Sequence, residues 1–153
     1  MGKLLSEVDR AYLAGLIDGD GAIMASIEPH PEKRFRFRVR VAVHITQLHE
    51  RDVAWLPGLV EIGRLRVNRT THQWVVQDQQ DILWLMEQIA PYSRLKTNQI
   101  QLAKEILNRP IRSFEDLLQV ARLADTLASF NVRSRNRRKN FVSMIEGSSS
   151  RND

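Results

Sequence analysis

A chain of 153 residues has room for one domain with a real core and is too short for two ordinary ones. It carries 23 Lys and Arg against 18 Asp and Glu, a formal net charge of +5, and no cysteine. Disulfides, thiol catalysis and thiolate metal sites are therefore excluded, and any metal must be held by oxygen or imidazole. Of the basic residues 18 are arginine, whose planar fork suits phosphates and guanine edges, so a nucleic acid is the expected partner. The sequence has no apolar run of the about 18 residues that a membrane span needs, and "MGKLLSEVDR" lacks a secretory core. The expectation is a soluble intracellular protein of the cytoplasm, nucleoid or an organelle.

Ser6 followed by Asp9 reads as a capped helix start, and Leu13, Leu16 and Ile17 form its apolar stripe, which predicts a helix from about Ser6 to Gly19. Gly21 is expected to close it in the left-handed conformation. From Ala22 the period changes to two: Ile23, Ala25 and Ile27 alternate with Met24, Ser26 and Glu28, as in a half-buried strand. A proline- and charge-rich turn over Pro29–Arg34 precedes a long strand. Its odd positions, Phe35 to Ile45, are apolar; its even positions are Arg36, Arg38, Arg40, Ala42, His44 and Thr46.

Arg51 to Ile62 is helix-like but interrupted at Pro57-Gly58 and ended by Gly63. "RLRVNRTTHQWVVQD" reads as a hairpin with Leu65, Val67, Trp74 and Val76 toward the core, and Arg66, Asn68, Gln73, Val75 and Gln77 away from it. Helices are predicted over about Gln80–Ala90, Thr97–Asn108 and Ser113–Phe130, and a short one over Asn140–Ile145. The basic stretch "NVRSRNRRKN" between the last two has no apolar period. One domain over residues 1–146 and a disordered polar tail, 147–153, are expected. The helix-strand-strand order occurs twice, but only its first copy contains the closely spaced glycines and aspartates of "LAGLIDGDG".

Those glycines have a geometric consequence. Ala11, Gly15 and Gly19 fall at i, i+4 and i+8 and line one helix face with a strip lacking bulk. Such a strip lets a second backbone approach nearer than the usual 8–10 Å or so between helix axes. One such helix per chain predicts a two-fold homodimer. Asp20 falls where the helix dipole is negative and carbonyls are unsatisfied, so its carboxylate is disfavoured there unless a divalent cation reverses the sign. The paired Asp20 carboxylates, with terminal carbonyls such as that of Gly19, are candidate hard oxygen ligands for Mg²⁺. Asp18, about 200° around the helix, cannot share that position.

"LAGLIDGDG" resembles the motif of the LAGLIDADG homing endonuclease family, with Gly19 in place of the usual alanine, and the element order extends the likeness over nearly the whole chain. The single motif is similar to the homodimeric branch. The resemblance implies an α+β fold, an αββαββα core with a curved antiparallel four-stranded DNA-binding sheet and extra C-terminal helices. It further implies a Mg²⁺-dependent endodeoxyribonuclease, with Mn²⁺ or Ca²⁺ able to occupy the same sites. Such an enzyme cuts both strands of a long pseudo-palindromic duplex across the minor groove, leaves 3′ overhangs and supports intron mobility. By the same resemblance Asp20 and Gly19 are the metal ligands, and Gln47, Arg51 and Lys96 join Asp20 in the catalytic set. A phosphodiester attacked by water builds negative charge, which Arg51 and Lys96 can offset while Gln47 orients the water. The interruption at Pro57-Gly58 departs from close relatives and bears on the geometry behind Arg51. An intron maturase, or a non-cleaving DNA- or RNA-binding protein on the same fold, is the alternative.

A twisted antiparallel ribbon fits the DNA major groove. The expected readers are Met24, Ser26, Glu28, Arg36, Arg38, Arg40, His44 and Thr46 from the first two strands, and Arg66, Asn68, Gln73, Val75 and Gln77 from the hairpin. Arg133, Arg135, Arg137, Arg138 and Lys139 are expected to contact phosphates. His30, His44, His49 and His72 lack a metal-ligand spacing, so His30 and His44 are read as base or backbone contacts. Trp55, Trp74 and Trp84 are read as core.

Overall fold

The computed structural model describes residues 2–131 and 140–150. Helix α1 (Glu7–Asp20) starts at Ser6, whose hydroxyl accepts the Asp9 amide at 3.1 Å, and it buries Leu13, Ala14, Ile17 and Asp18. Strand β1 (Gly21–Pro29) follows without a turn and forms a hairpin with β2 (Phe37–Gln47). After β2 come a single 3₁₀ turn (Glu50–Asp52) and the short helix α2 (Leu56–Val60); β3 (Arg64–Asn68) and β4 (Thr71–Val76) form the second hairpin. Helices α3 (Gln79–Ile89), α4 (Thr97–Asn108), α5 (Phe114–Asn131) and α6 (Phe141–Ser150) complete the described chain. The sheet has order β1-β2-β4-β3, with every neighbouring pair antiparallel.

The alternation in β1, β2 and β4 decides which side the helices cover. Ile23, Ile27, Val41, Val43, Ile45, Trp74 and Val76 point into one cluster with residues of α1, α3, α4 and α5. The other sheet face presents the polar positions. The result is the α+β architecture with a four-stranded antiparallel sheet that the resemblance implies.

Several local expectations are corrected. Gly21 is extended (φ −90°, ψ 164°), because β1 begins there and no cap turn intervenes. Its glycine is demanded by proximity: a Cβ would lie 2.8 Å from both the Cα and the O of Ile17. The interruption after Arg51 falls before Pro57, at the turn between the 3₁₀ segment and α2, and Pro57 sits in the first turn of α2, where its missing N–H is harmless. Glu61 is the left-handed cap of α2 (φ 60°), while Gly63 (φ 78°) passes against Trp74, whose indole donates to the Ile62 carbonyl at 3.0 Å.

Arg36 precedes β2 in the left-handed region (φ 67°), held in the β1–β2 turn by its amide to the Lys33 carbonyl. Leu65 and Val67 are exposed, since β3 is an edge strand and alternation fixes parity without fixing cover. Trp55 is exposed too, stacked edge-on against Tyr12. Helix α6 extends to Ser150, beyond the Ile145 end expected, with Asn140 accepting the Ser143 amide at its start. Asp125 of α5 accepts the amides of Phe141 and Val142, which ties α6 to α5.

Candidate functional site

The end of α1 delivers Asp20 to the surface beside the last residue of β2. Gln47 Nε2 donates to Asp20 Oδ2 at 2.9 Å, so these two side chains are in direct contact. Asp20 is exposed and Gly19 has nothing within 4 Å of where its Cβ would be, which leaves the helix end open to a ligand or a second chain. Among the described residues no three His, Asp or Glu side chains cluster into a metal cage. The Asp20 carboxylate and the Gly19 carbonyl are hard oxygen donors of the kind that fit a divalent cation when a further carboxylate joins them.

Arg51 lies in the 3₁₀ turn four residues after Gln47, with 81 % of its side chain exposed and only a 3.9 Å approach to Asp52. Lys96 stands at the N-cap position of α4, at the end of the loop that follows α3. Neither forms an ion pair with Asp20 among the described residues. The loop carrying Lys96 is fixed by Asp18, which is buried and accepts from Ser93 Oγ at 2.5 Å, Arg94 N at 2.7 Å and Leu95 N at 3.1 Å. Burial pushes the Asp18 pKa up, but the donors from residues 93–96 outweigh it and hold the carboxyl below its ordinary value.

The polar sheet face collects most of the residues singled out for DNA. Register places Met24, Ser26 and Glu28 opposite Ala42, Arg40 and Arg38, and Thr46 opposite Gln73 opposite Arg66. A hollow of about 370 Å³ opens on this face, lined by Met24, Ser26, Glu28, Arg40, His44 and Gln77 and walled by α5 and the start of α6. Glu28 pairs with Arg38 at 2.9 Å, and Gln73 links Thr46 to Arg66 through hydrogen bonds of 2.6 to 3.0 Å. His44 sits between Ala22 and Val75 with its Nε2 buried and unpartnered; burial and then the Arg66 charge lower its pKa.

Not every residue expected to read DNA is available. Val75 is 1 % and Gln73 7 % exposed, flanked in register by His44 and Arg64 and by Thr46 and Arg66, so Val75 offers no surface to a ligand here. Arg36 and His30 belong to the β1–β2 turn, where the Arg36 guanidinium donates to the Pro31 carbonyl and His30 Nδ1 is buried without a partner. Asn68 is at the β3 end. Arg133, Arg135, Arg137, Arg138 and Lys139 lie outside the described residues. Arg64, not anticipated among the DNA-facing residues, shares the parity of Arg66 and Asn68, lies opposite Val75 and donates to Gln77.

The strip on α1 is bare. Ala11, Gly15 and Gly19 are all exposed, and a Cβ on Gly15 or Gly19 would meet nothing within 4 Å. Around them stand exposed apolar side chains, Leu4 (93 %), Val8 (79 %), Tyr12 (60 %) and Trp55 (38 %). Of these, Tyr12 and Trp55 touch edge to face, with ring centres 5.8 Å apart.

No family profile matches the chain. Two relatives do. DNA endonuclease I-CreI of Chlamydomonas reinhardtii is 28 % identical over 127 residues, spanning 78 % of this chain and 77 % of its own. DNA endonuclease I-CvuI of Chlorella vulgaris is 28 % identical over 120 residues, spanning 75 % and 74 %. In structure, I-CvuI bound to its target with Ca²⁺ superposes with a TM-score of 0.84 over 95 % of this chain and 94 % of that one at 21 % identity. In sequence and in fold the chain is similar to DNA homing endonucleases. The archaeal intron-encoded I-Vdi141I, complexed with DNA, shares the fold at a TM-score of 0.78 and 18 % identity, covering 94 % of this chain and 98 % of its own.

Proposed function

We infer that the protein is a site-specific homing endonuclease that hydrolyses both strands of a long pseudo-palindromic duplex, acts as a homodimer with Mg²⁺, and supports mobility of the intron encoding it. The observation that carries this reading is the placement of Asp20, bonded to Gln47, at the junction of the bare α1 strip and the basic sheet. Two chains joined through Ala11, Gly15 and Gly19 bring two Asp20 carboxylates together and set two polar sheets side by side as one long groove.

Each side chain then has a task. Arg38, Arg40, Arg64, Arg66, Glu28, Ser26, His44 and Gln77 face the major groove, where arginine pairs with guanine, glutamine with adenine, and glutamate with cytosine. Asp20 and the Gly19 carbonyl hold the divalent ion, and Gln47 fixes the rotamer of Asp20 by its 2.9 Å hydrogen bond. Bound there, Mg²⁺ supplies Lewis acidity and charge neutralisation at the scissile phosphate. Lys96 and Arg51 add positive charge where the oxygens of the pentacoordinate phosphorus gain negative charge in the transition state.

The test is incubation of the purified protein with a supercoiled plasmid library carrying randomised inserts, with Mg²⁺ or with EDTA. The reading predicts linear product only with Mg²⁺, and the recovered ends define a target with approximate two-fold symmetry. No linear product from a library that covers such sites, with the protein folded, would remove the nuclease.

A further inference from the structure

Asp18 lies in the same motif as Asp20 yet faces the opposite way, and nothing in the proposed chemistry uses it. A carboxylate 9 % exposed is costly to bury unless its lone pairs are satisfied. Among the described residues every donor it receives comes from one segment: Ser93 Oγ, and the backbone amides of Arg94, Leu95 and Lys96. The same helix also grips the start of that segment. Glu7 accepts the Tyr92 hydroxyl at 3.0 Å, and the Arg10 guanidinium lies 5.2 Å from the Tyr92 ring centre. The loop from Tyr92 to Lys96 has no regular structure of its own, so its shape is set by α1.

We propose that Asp18 is a positioning residue that fixes the Lys96 backbone at a set distance from Asp20. The inference rests on the assignment of Lys96 to the cleavage step. Asp18 and Asp20 are two residues apart on one rigid helix, one aimed into the 93–96 loop and one at the helix end. The α1 backbone therefore acts as a ruler between the metal ligand and the cation. Lysine has a long, flexible stem, so its ammonium is placed no better than its backbone. A displacement of about 1 Å at such a group can cost on the order of 100-fold in rate.

Asp18→Asn keeps the shape but replaces one acceptor oxygen with an amide that faces N–H donors. With a duplex selected from the randomised plasmid library, the expected single-turnover cleavage rate falls on the order of 10- to 100-fold. Affinity for the same duplex without divalent metal stays within about twofold, because the sheet face is untouched. In the Lys96→Ala background the same substitution has no further effect, whereas in a Gln47→Ala background it multiplies the loss. Ser93→Ala, which removes one bond and leaves the carboxylate in place, gives a smaller loss with the same dependence on Lys96, and decides the matter if Asp18→Asn fails to fold.

An unchanged rate, equal losses of rate and affinity, or a full additional loss on top of Lys96→Ala overturns the proposal. Wild-type cleavage by Lys96→Ala overturns it as well, through the failure of the lysine assignment. Absence of cleavage by the wild-type protein itself is a different outcome, which removes the nuclease reading and this inference together.

Discussion

Placing a leucine at Gly15 separates the proposed dimer from the fold. In the single chain a Cβ at Gly15 meets nothing within 4 Å, so a side chain there projects into solvent and the monomer keeps its core. Replacing a mid-helix glycine with alanine stabilises a helix by about 1 kcal/mol, so Gly15→Ala raises the monomer Tm by about 2–4 °C. Across a two-fold interface built on that strip, each copy inserts its new side chain into a close helix contact. Overpacking costs about 1–3 kcal/mol per site; two symmetric sites make about 2–6 kcal/mol, or roughly 30- to 10⁴-fold in the dimer dissociation constant for Gly15→Leu. Sedimentation equilibrium, thermal melting by circular dichroism and plasmid linearisation report the three consequences. The expected variant is a well-folded monomer with no double-strand cleavage. A Gly15→Leu protein that dimerises and cleaves as wild type refutes the interface.

Gly21→Ala is expected to destabilise the chain by about 1–3 kcal/mol, since its Cβ would sit 2.8 Å from backbone atoms of Ile17; a melting temperature within a degree of wild type contradicts the direct α1–β1 junction. His44 supplies a pH test of the sheet face. Its folded pKa lies below 6.5, so the unfolded chain takes up the proton first as pH falls. The stability it contributes is complete above pH 6.5 and is lost progressively as pH drops through the folded pKa. His44→Gln should therefore show a shallower fall in melting temperature between about pH 7 and pH 5. A fall as steep as wild type places the titrating group elsewhere.

Much of this architecture is legible in the residues because period and punctuation agree. The switch from a 3.6 to a 2 repeat at Ala22, the alternation through β2 and the Ser113 cap of α5 read directly from local chemistry, whereas the Asp78 and Asn140 caps emerge only in the structure. The departures arise where a neighbour distant in sequence decides the outcome. Gly21 looks like a cap, and only the proximity of Ile17 shows that its missing Cβ matters more than its φ. Leu65 and Val67 have the parity of core residues, but no alternation announces that β3 is an edge. Arg36 continues the strand pattern on paper, while the turn bonds to His30 and Lys33 bend the backbone out of it.

The candidate site divides the same way. Asp20 and the glycine strip follow from helix geometry, and the contact with Gln47 adds the partner that links them to the sheet. Asp18 is excluded from the Asp20 position by its angle on the helix, yet its donors come from residues 93–96, some 75 positions away. Arg64 was within reach, two residues before Arg66 on the same face.

Asp20→Asn, assayed for binding and cleavage on one duplex, bears most directly on the claim that this carboxylate sits at the reacting phosphates. The account predicts wild-type affinity, an unchanged two-chains-per-duplex complex and no product with Mg²⁺. Cutting at the wild-type rate by the variant would contradict it.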